Sequence, residues 1–399
     1  MDDKRTGSRY SSQGEWQEIG NARRTSGRGA NAGRRSSVRP SGRGDGSTGR
    51  PNGGRRYQEP RRGRENTGRK KKGHAGLIVL LVLLILAAAA GLFVLVMLGR
   101  MGHETISGLT FNGGVSHSGY KNYVLYGVDA RDNSLTRDCH SDTIMICSLN
   151  KRTKEVRLVS VYRDTYLDNT NGEYRKATEC YFFGGPERSI SMLNKNLDLD
   201  ITDYVSVNFG AVVTLIDLLG GIDLEITPEE MEYINGYCVE NQQVTGVSYT
   251  PLSSSGYVHL DGIQALAYCR IRYTEGWDYK RTERQRTVLM LAYQKAKQQG
   301  PGALVSIANA MLPEISTSMN PAEIISLVSA IGSYSLGDES GFPFEKTAMV
   351  VEGSDVVVPA TLASNVSELH SFLYGDSGYT PTDTVQEISS YISSVSGVY

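Results

Sequence analysis

The sequence predicts a mixed α/β region outside a membrane, behind one transmembrane helix and a disordered N-terminal arm. Three observations carry this. Basic and acidic residues are segregated to opposite ends of the chain, a long apolar run separates them, and beyond that run short β-branched stretches alternate with stretches of helical period.

The arm comes first. The formal net charge is only -1 over 399 residues, but residues 1–74 hold 20 Lys+Arg against 7 Asp+Glu, near +13, and the rest is near -14. The arm is rich in Arg, Gly and Ser, with almost nothing apolar to bury, so it cannot offset its chain entropy and is expected to be disordered. An arginine-rich arm is able to bind nucleic acid by counterion release, but Tyr10, Trp16 and Tyr57 give too thin an aromatic interleaving for a stacking platform. No nucleic-acid partner is expected.

Ala75 to Gly99 contains no charged residue. At about 1.5 Å per residue it exceeds the ~30 Å hydrocarbon core and predicts a transmembrane helix. It starts too late and runs too long for a cleaved signal peptide. Lys70, Lys71 and Lys72 precede it, so the positive-inside rule places the N-terminus in the cytoplasm and the acidic bulk outside. Residues 100–120 then read as a linker.

In the outer region, "NYVLYGVDA" (122–130), "DTIMICSLN" (142–150) and "EVRLVSVYR" (155–163) read as strands bounded by turn formers. "FGAVVTLIDLLGG" (209–221) has helical spacing and a glycine stop, after which "IDLEI" resumes as a strand. Residues 282–300 read as another helix, closed by Gly300 and Pro301. The five cysteines, Cys139, Cys147, Cys180, Cys238 and Cys269, show no CxxC pair and no Cys/His ligand spacing, which argues against zinc. They read mostly as small buried hydrophobes.

"YCRIRYTEGWDYKRTERQR" (268–286) places Arg270, Arg272, Arg281, Arg284 and Arg286 close together. Read as a strand, its first part aims Arg270 and Arg272 at one face. Arg281, Arg284 and Gln285 share a face at the start of the next helix, and Arg286 is expected to face elsewhere and to tolerate Ala. Arg163 stands where "EVRLVSV" runs out, the usual place for ligand groups in an α/β fold. Guanidinium forks match phosphate oxygens; a structural ion-pair network with Glu275, Asp278 and Glu283 is the competing reading. Asp129 in "LYGVDAR" and Asp142 in "CHSDTIM" end one strand and start the next, and two carboxylates beside a pyrophosphate make a natural seat for Mg²⁺.

These blocks resemble, in order, the LytR-CpsA-Psr (LCP) proteins of Gram-positive cell walls: "GVDAR", "SDTIMI", "VSVYRDTYL", "YFFGGPERSI", "DYVSVNFGAVVTLIDLLGGIDLEI" and "HLDGIQALAYCRIRYTEGWDYKRTERQR". The resemblance covers roughly residues 121–300. It implies an LCP-type mixed β-sheet flanked by helices over 121–300, with 301–399 packing on that core. It further implies transfer of a glycopolymer, such as teichoic acid or capsule, from an undecaprenyl-pyrophosphate carrier to the N-acetylmuramic acid hydroxyl of peptidoglycan. That reaction forms a phosphodiester and uses Mg²⁺, or Mn²⁺ in its place. Carried over by position, the metal aspartates fall on Asp129 and Asp142. The pyrophosphate-binding residues fall on Arg163, Arg270, Arg272, Arg281 and Gln285, and Asp129, Asp142, Arg163 and Arg270 are the catalytic set. Three positions depart from the family pattern: His140 replaces an arginine and remains a pyrophosphate contact that depends on pH, Tyr162 replaces a proline, and Thr178 replaces an asparagine. The rival readings are a regulator or attenuator that holds the lipid pyrophosphate unchanged, and a lipid pyrophosphate hydrolase.

Overall fold

Alternating runs of buried and half-buried residues build the centre of the molecule, as expected of strands covered on both faces. The computed structural model describes residue 99, residues 102–130 and residues 135–399. The expected arm and nearly all of the expected membrane span lie outside the described residues. Among the described residues, no helix is long and apolar enough to cross a membrane.

In chain order the first half runs β1 (Gly102–His103), β2 (Tyr120–Val128), β3 (Ser141–Asn150), β4 (Glu155–Val161), β5 (Tyr166–Asp168), β6 (Tyr174–Lys176), α1 (Ala177–Leu197), β7 (Asp203–Val207) and α2 (Phe209–Leu218). It continues through β8 (Ile222–Ile226), α3 (Pro228–Thr245), β9 (Gly256–Leu260), α4 (Gly262–Arg270), α5 (Trp277–Lys297), α6 (Pro301–Met311), β10 (Ile315–Thr317) and α7 (Pro321–Ser329). The chain ends with β11 (Ser335–Phe342), β12 (Lys346–Val351), β13 (Ser354–Pro359), α8 (Leu362–Tyr374) and α9 (Asp383–Ser396).

Among the described residues seven strands form one mixed sheet in the order β1-β10-β7-β2-β3-β4-β11. β2, β3 and β4 form an antiparallel meander, whereas β7 joins β2 and β11 joins β4 in parallel. β10 and β11, both beyond residue 300, are strands of this same sheet. Among the described residues two large apolar cores accompany it, with a small third cluster of Val213, Ile263 and Leu266. Of the two large cores, one gathers Val124, Tyr126, Ile144, Ile146 and Val159 of the sheet with α1, α8 and α9. The other lies among α2, α3, α4, α5 and the β8–β9 hairpin.

Local chemistry fixes the helix starts near the site. α3 begins with a capping box, Thr227 with Glu230, and has Pro228 in its first turn. α4 begins with a second box, Asp261 with Gln264. That second box overturns one expectation: "IQALAYCR" is helix, not strand. Arg270 is the last residue of α4 and Arg272 lies beyond it in a loop, so the two do not share a strand face. The Ala, Leu, Tyr and Cys of this run pack inward on the helix, and the alternation of "RIR" that suggested a strand is only the helix exit.

Candidate functional site

The strand ends of the meander and the first turn of α5 converge on one set of charges. At the start of β3 the register slips by a residue: Val128 pairs with Ser141 and Gly127 with Thr143, leaving Asp142 as the extra residue of a bulge. A bulge turns its side chain out of the regular pleat. The Asp142 carboxylate receives Arg163 Nη1 at 2.5 Å, and Arg163 stands just past the end of β4. The Arg163 carbonyl in turn accepts from the backbone N–H of Thr178, at 3.0 Å, in the first turn of α1. The sheet end and α1 therefore hold Arg163 together.

From α5, Arg281 Nη2 reaches the backbone oxygen of Asp142 at 3.0 Å and the Asp278 carboxylate at 3.0 Å. The same Asp278 oxygen takes Arg272 Nη2 at 3.0 Å. The result is one linked chain, Arg163–Asp142–Arg281–Asp278–Arg272, joined at Asp142 through its carboxylate on one side and its backbone oxygen on the other, with Asp164 also 3.7 Å from Arg163 Nε. Burial lowers the Arg281 pKa, and the neighbouring Arg272 and Arg163 act in the same direction against Asp278 and Asp142; a guanidinium nonetheless keeps its proton. Burial opposes the charge of Arg163 too, but Asp142 and Asp164 outweigh it and raise its pKa.

The cluster leaves hydrogen-bonding groups open. Among the described residues, Arg163 Nε, Arg281 Nε, Asp278 Oδ2 and Gln285 Oε1 are buried without a hydrogen-bond partner. Buried polar groups are ordinarily paired, and guanidinium donors left without a hydrogen bond in an arginine-rich cluster match the oxygens of a multivalent anion in chemistry. Gln285 follows Arg281 by four residues on α5, its amide nitrogen 3.4 Å from the Cys269 carbonyl.

Asp129 is exposed just past β2, its backbone N–H donating to the His140 carbonyl at 3.1 Å. The strand pairing thus sets Asp129 and Asp142 at adjoining strand ends, a donor set of hard carboxylate oxygens. Among the described residues no group of three or more His, Cys, Asp or Glu side chains could hold a metal ion. The His140 ring stacks on Phe182 of α1, with centroids 4.8 Å apart and planes at 19°. Tyr162 packs edge to face on Tyr279 of α5 at 4.6 Å, and the Thr178 hydroxyl is buried without a partner among the described residues.

Several expected residues go elsewhere. Arg270 turns to α3, where its guanidinium reaches Asn241 Oδ1 at 2.5 Å and Glu240 at 3.3 Å and lies over the rings of Phe209 and Tyr237. Arg284 does not share the face of Arg281: it is buried against Glu230 of α3 at 2.9 Å, with the Thr274 hydroxyl as a further partner. Arg286 does face elsewhere, but it is buried and paired with Glu339 of β11 at 3.1 Å, so it is a structural residue and not an indifferent one. The competing ion-pair reading was right about Asp278, which is a member of the site that motif reasoning left out. Nothing in the sequence signalled Asn241 and Glu240, since they come from a separate helix.

Fold and site together define an α/β protein with a cluster of arginines and aspartates at the strand ends of a mixed sheet. The profile of the LytR_cpsA_psr family matches residues 101–362, and the chain belongs to that family. It is 34% identical over 174 residues to the polyisoprenyl-teichoic acid–peptidoglycan teichoic acid transferase TagU of Enterococcus faecalis, covering 43% of this chain and 52% of that protein. The chain thus spans about half the length of the curated relatives it matches. A solved structure described as TagT bound to LI-WTA aligns with TM-score 0.55 at 20% identity, over 69% of this chain and all of that one. Another, described as a transcriptional regulator from Enterococcus faecalis, aligns with TM-score 0.54 at 21% identity, over 70% of this chain and 96% of that one. Both likenesses concern the fold.

Proposed function

We propose that the protein transfers a glycopolymer from an undecaprenyl-pyrophosphate carrier to the N-acetylmuramic acid hydroxyl of peptidoglycan, forming a phosphodiester. The observation that carries this is the Arg163–Asp142–Arg281–Asp278–Arg272 chain with its unpaired buried guanidinium nitrogens. The relatives named as teichoic acid transferases support the direction of the chemistry.

In this reading Arg163, Arg281 and Arg272 grip the pyrophosphate, with Gln285 and His140 at its margins and Arg270 on the α3 side. The acceptor hydroxyl oxygen attacks the phosphorus attached to the glycopolymer. The bond from that phosphorus to the bridging oxygen breaks, undecaprenyl phosphate departs with the electron pair, and the hydroxyl proton leaves to solvent. The arginines stabilise the negative charge that grows on the equatorial and departing oxygens. Asp129 and Asp142 would hold Mg²⁺, or Mn²⁺, which supplies Lewis-acid neutralisation of the phosphate oxygens.

The test incubates the full chain with a lipid-pyrophosphate-linked glycopolymer, peptidoglycan and Mg²⁺. Polymer joined to peptidoglycan through a phosphodiester is expected. Substrate bound but unchanged would establish the regulator reading, and free phosphate products the hydrolase reading. The chemistry requires an outer location, so the chain is proposed to be a single-pass membrane protein with a cytoplasmic N-terminus. Protease added to intact protoplasts should remove the C-terminal region; loss of the first 74 residues alone would refute this orientation.

A further inference from the structure

Two aromatic side chains stand at the rim of the charge cluster and take no part in it. Tyr273 is 62% exposed and Trp277 67%, and their rings meet edge to face with centroids 6.2 Å apart. Tyr273 directly follows Arg272, and Trp277 directly precedes Asp278. The pair is therefore mounted on the two residues that the Arg272–Asp278 bridge ties together.

The segment that presents them is built, not loose. Thr274 is buried and bonded to Arg284. The Trp277 N–H donates to the Thr274 carbonyl at 3.1 Å, and the Tyr233 hydroxyl of α3 donates to the Tyr273 carbonyl at 2.8 Å. Gly276 and Trp277 both take left-handed φ, 89° and 47°. For a bulky side chain that conformation costs energy and persists only where the surroundings impose it. A strained backbone here holds an indole out in solvent beside the arginine cluster.

We propose that Tyr273 and Trp277 form the platform for a sugar ring, the one bonded directly to the pyrophosphate of the lipid-linked donor. The inference rests on the transferase reading above. With the pyrophosphate between Arg163, Arg281 and Arg272, the first sugar must leave the cluster at its rim, where this pair stands. The C–H faces of a pyranose lie against the negative faces of aromatic rings. A bilayer surface is the rival occupant, but exposed Glu275 stands between the same two rings in the chain and would repel an anionic headgroup layer.

The chain contains two tryptophans, Trp16 and Trp277, so Trp16→Phe leaves Trp277 as sole reporter. The full chain carrying that change is titrated in detergent with undecaprenyl pyrophosphate, and separately with the same lipid bearing one N-acetylhexosamine on its pyrophosphate. The sugar-bearing lipid should change Trp277 emission and bind about three- to tenfold more tightly than the bare lipid. Trp277→Ala should abolish that difference, read by displacement of a labelled lipid, without weakening the bare lipid; Trp277→Tyr should retain part of it. Equal affinity for both lipids in the parent chain overturns the platform. So does an emission shift with phosphatidylglycerol vesicles alone that the sugar-bearing lipid does not add to, which would mark a membrane contact. Binding of neither lipid would instead fell the transferase reading, and the platform with it.

Discussion

Arg281 is 3% exposed, yet one of its nitrogens is unpaired among the described residues. That combination makes it the residue on which anion binding should depend most. Lysine at this position keeps a charge and a donor for the oxygens that Nη2 now reaches, but not the buried Nε that has no partner among the described residues. Arg281→Lys should therefore lower transfer at least tenfold, and Arg281→Ala should cost about 1.5–3 kcal/mol in ligand binding, roughly ten- to more than a hundredfold. Steady-state transfer kinetics and a thermal melt on each variant check this; wild-type rates in both would remove Arg281 from the site. Asp142, Arg163 and Arg281 were legible because strand ends and helix starts are where α/β folds place ligand groups. The bulge that aims Asp142 was not legible, since a one-residue register slip leaves no mark on composition.

Among the elements, the α4–α5 corner shows where reading from sequence stopped. The three strands of the meander and the helix "FGAVVTLIDL" match their patterns because burial imposes period and length on them. α4 was missed although Asp261 and Gln264 spell its capping box, because two arginines alternating about an isoleucine suggested a strand. The corner is held instead by Arg284, which ties α5 to α3 through Glu230 and to the loop through Thr274. Removing one partner of a buried ion pair strands the other, so Arg284→Ala should destabilise the protein by about 3–5 kcal/mol. Arg286→Ala, which leaves half-buried Glu339 unpaired, should cost about 1–3 kcal/mol. Urea midpoints of the two variants decide the order; a midpoint for Arg284→Ala equal to wild type would contradict the corner's role.

Across the whole molecule, the segment after the first strand and the last helices are stitched together by a buried group of rings. His370 of α8 is fully buried, with Nε2 donating to the Leu197 carbonyl at 3.0 Å and its ring stacked on Tyr379. His117 and Tyr374 pack beside it, and Asp198 and Asp376 face it. Burial lowers the His370 pKa to about 4, against about 6.5 in an unfolded chain. Between those values the unfolded chain binds a proton that the folded chain refuses. Stability is thus fully present above about pH 6.5, falls as pH drops, and levels near pH 4, for a total of order 3 kcal/mol. Denaturation midpoints at several pH values should trace that slope, and His370→Gln should flatten it. Asp200, whose pKa is lowered despite burial by its bonds to His117 and Asn122, adds its loss only below about pH 3.8, outside this window.

The edge strand β1 has a mechanical consequence. Tension applied through the chain before Gly102 enters the sheet at a strand of two residues paired to β10, with the Glu104 N–H on the Thr317 carbonyl as the next tie. Behind that fuse, Thr110 is fastened to Ser191, Asn112 to Lys195 and Asp198, and the His117 N–H to Asp200. These attachments lie in series ahead of β2, so a pull on the chain before Gly102 would be spent unpeeling the edge and then loading α1. The strand ends that carry Asp142 and Arg163 lie behind all of these ties.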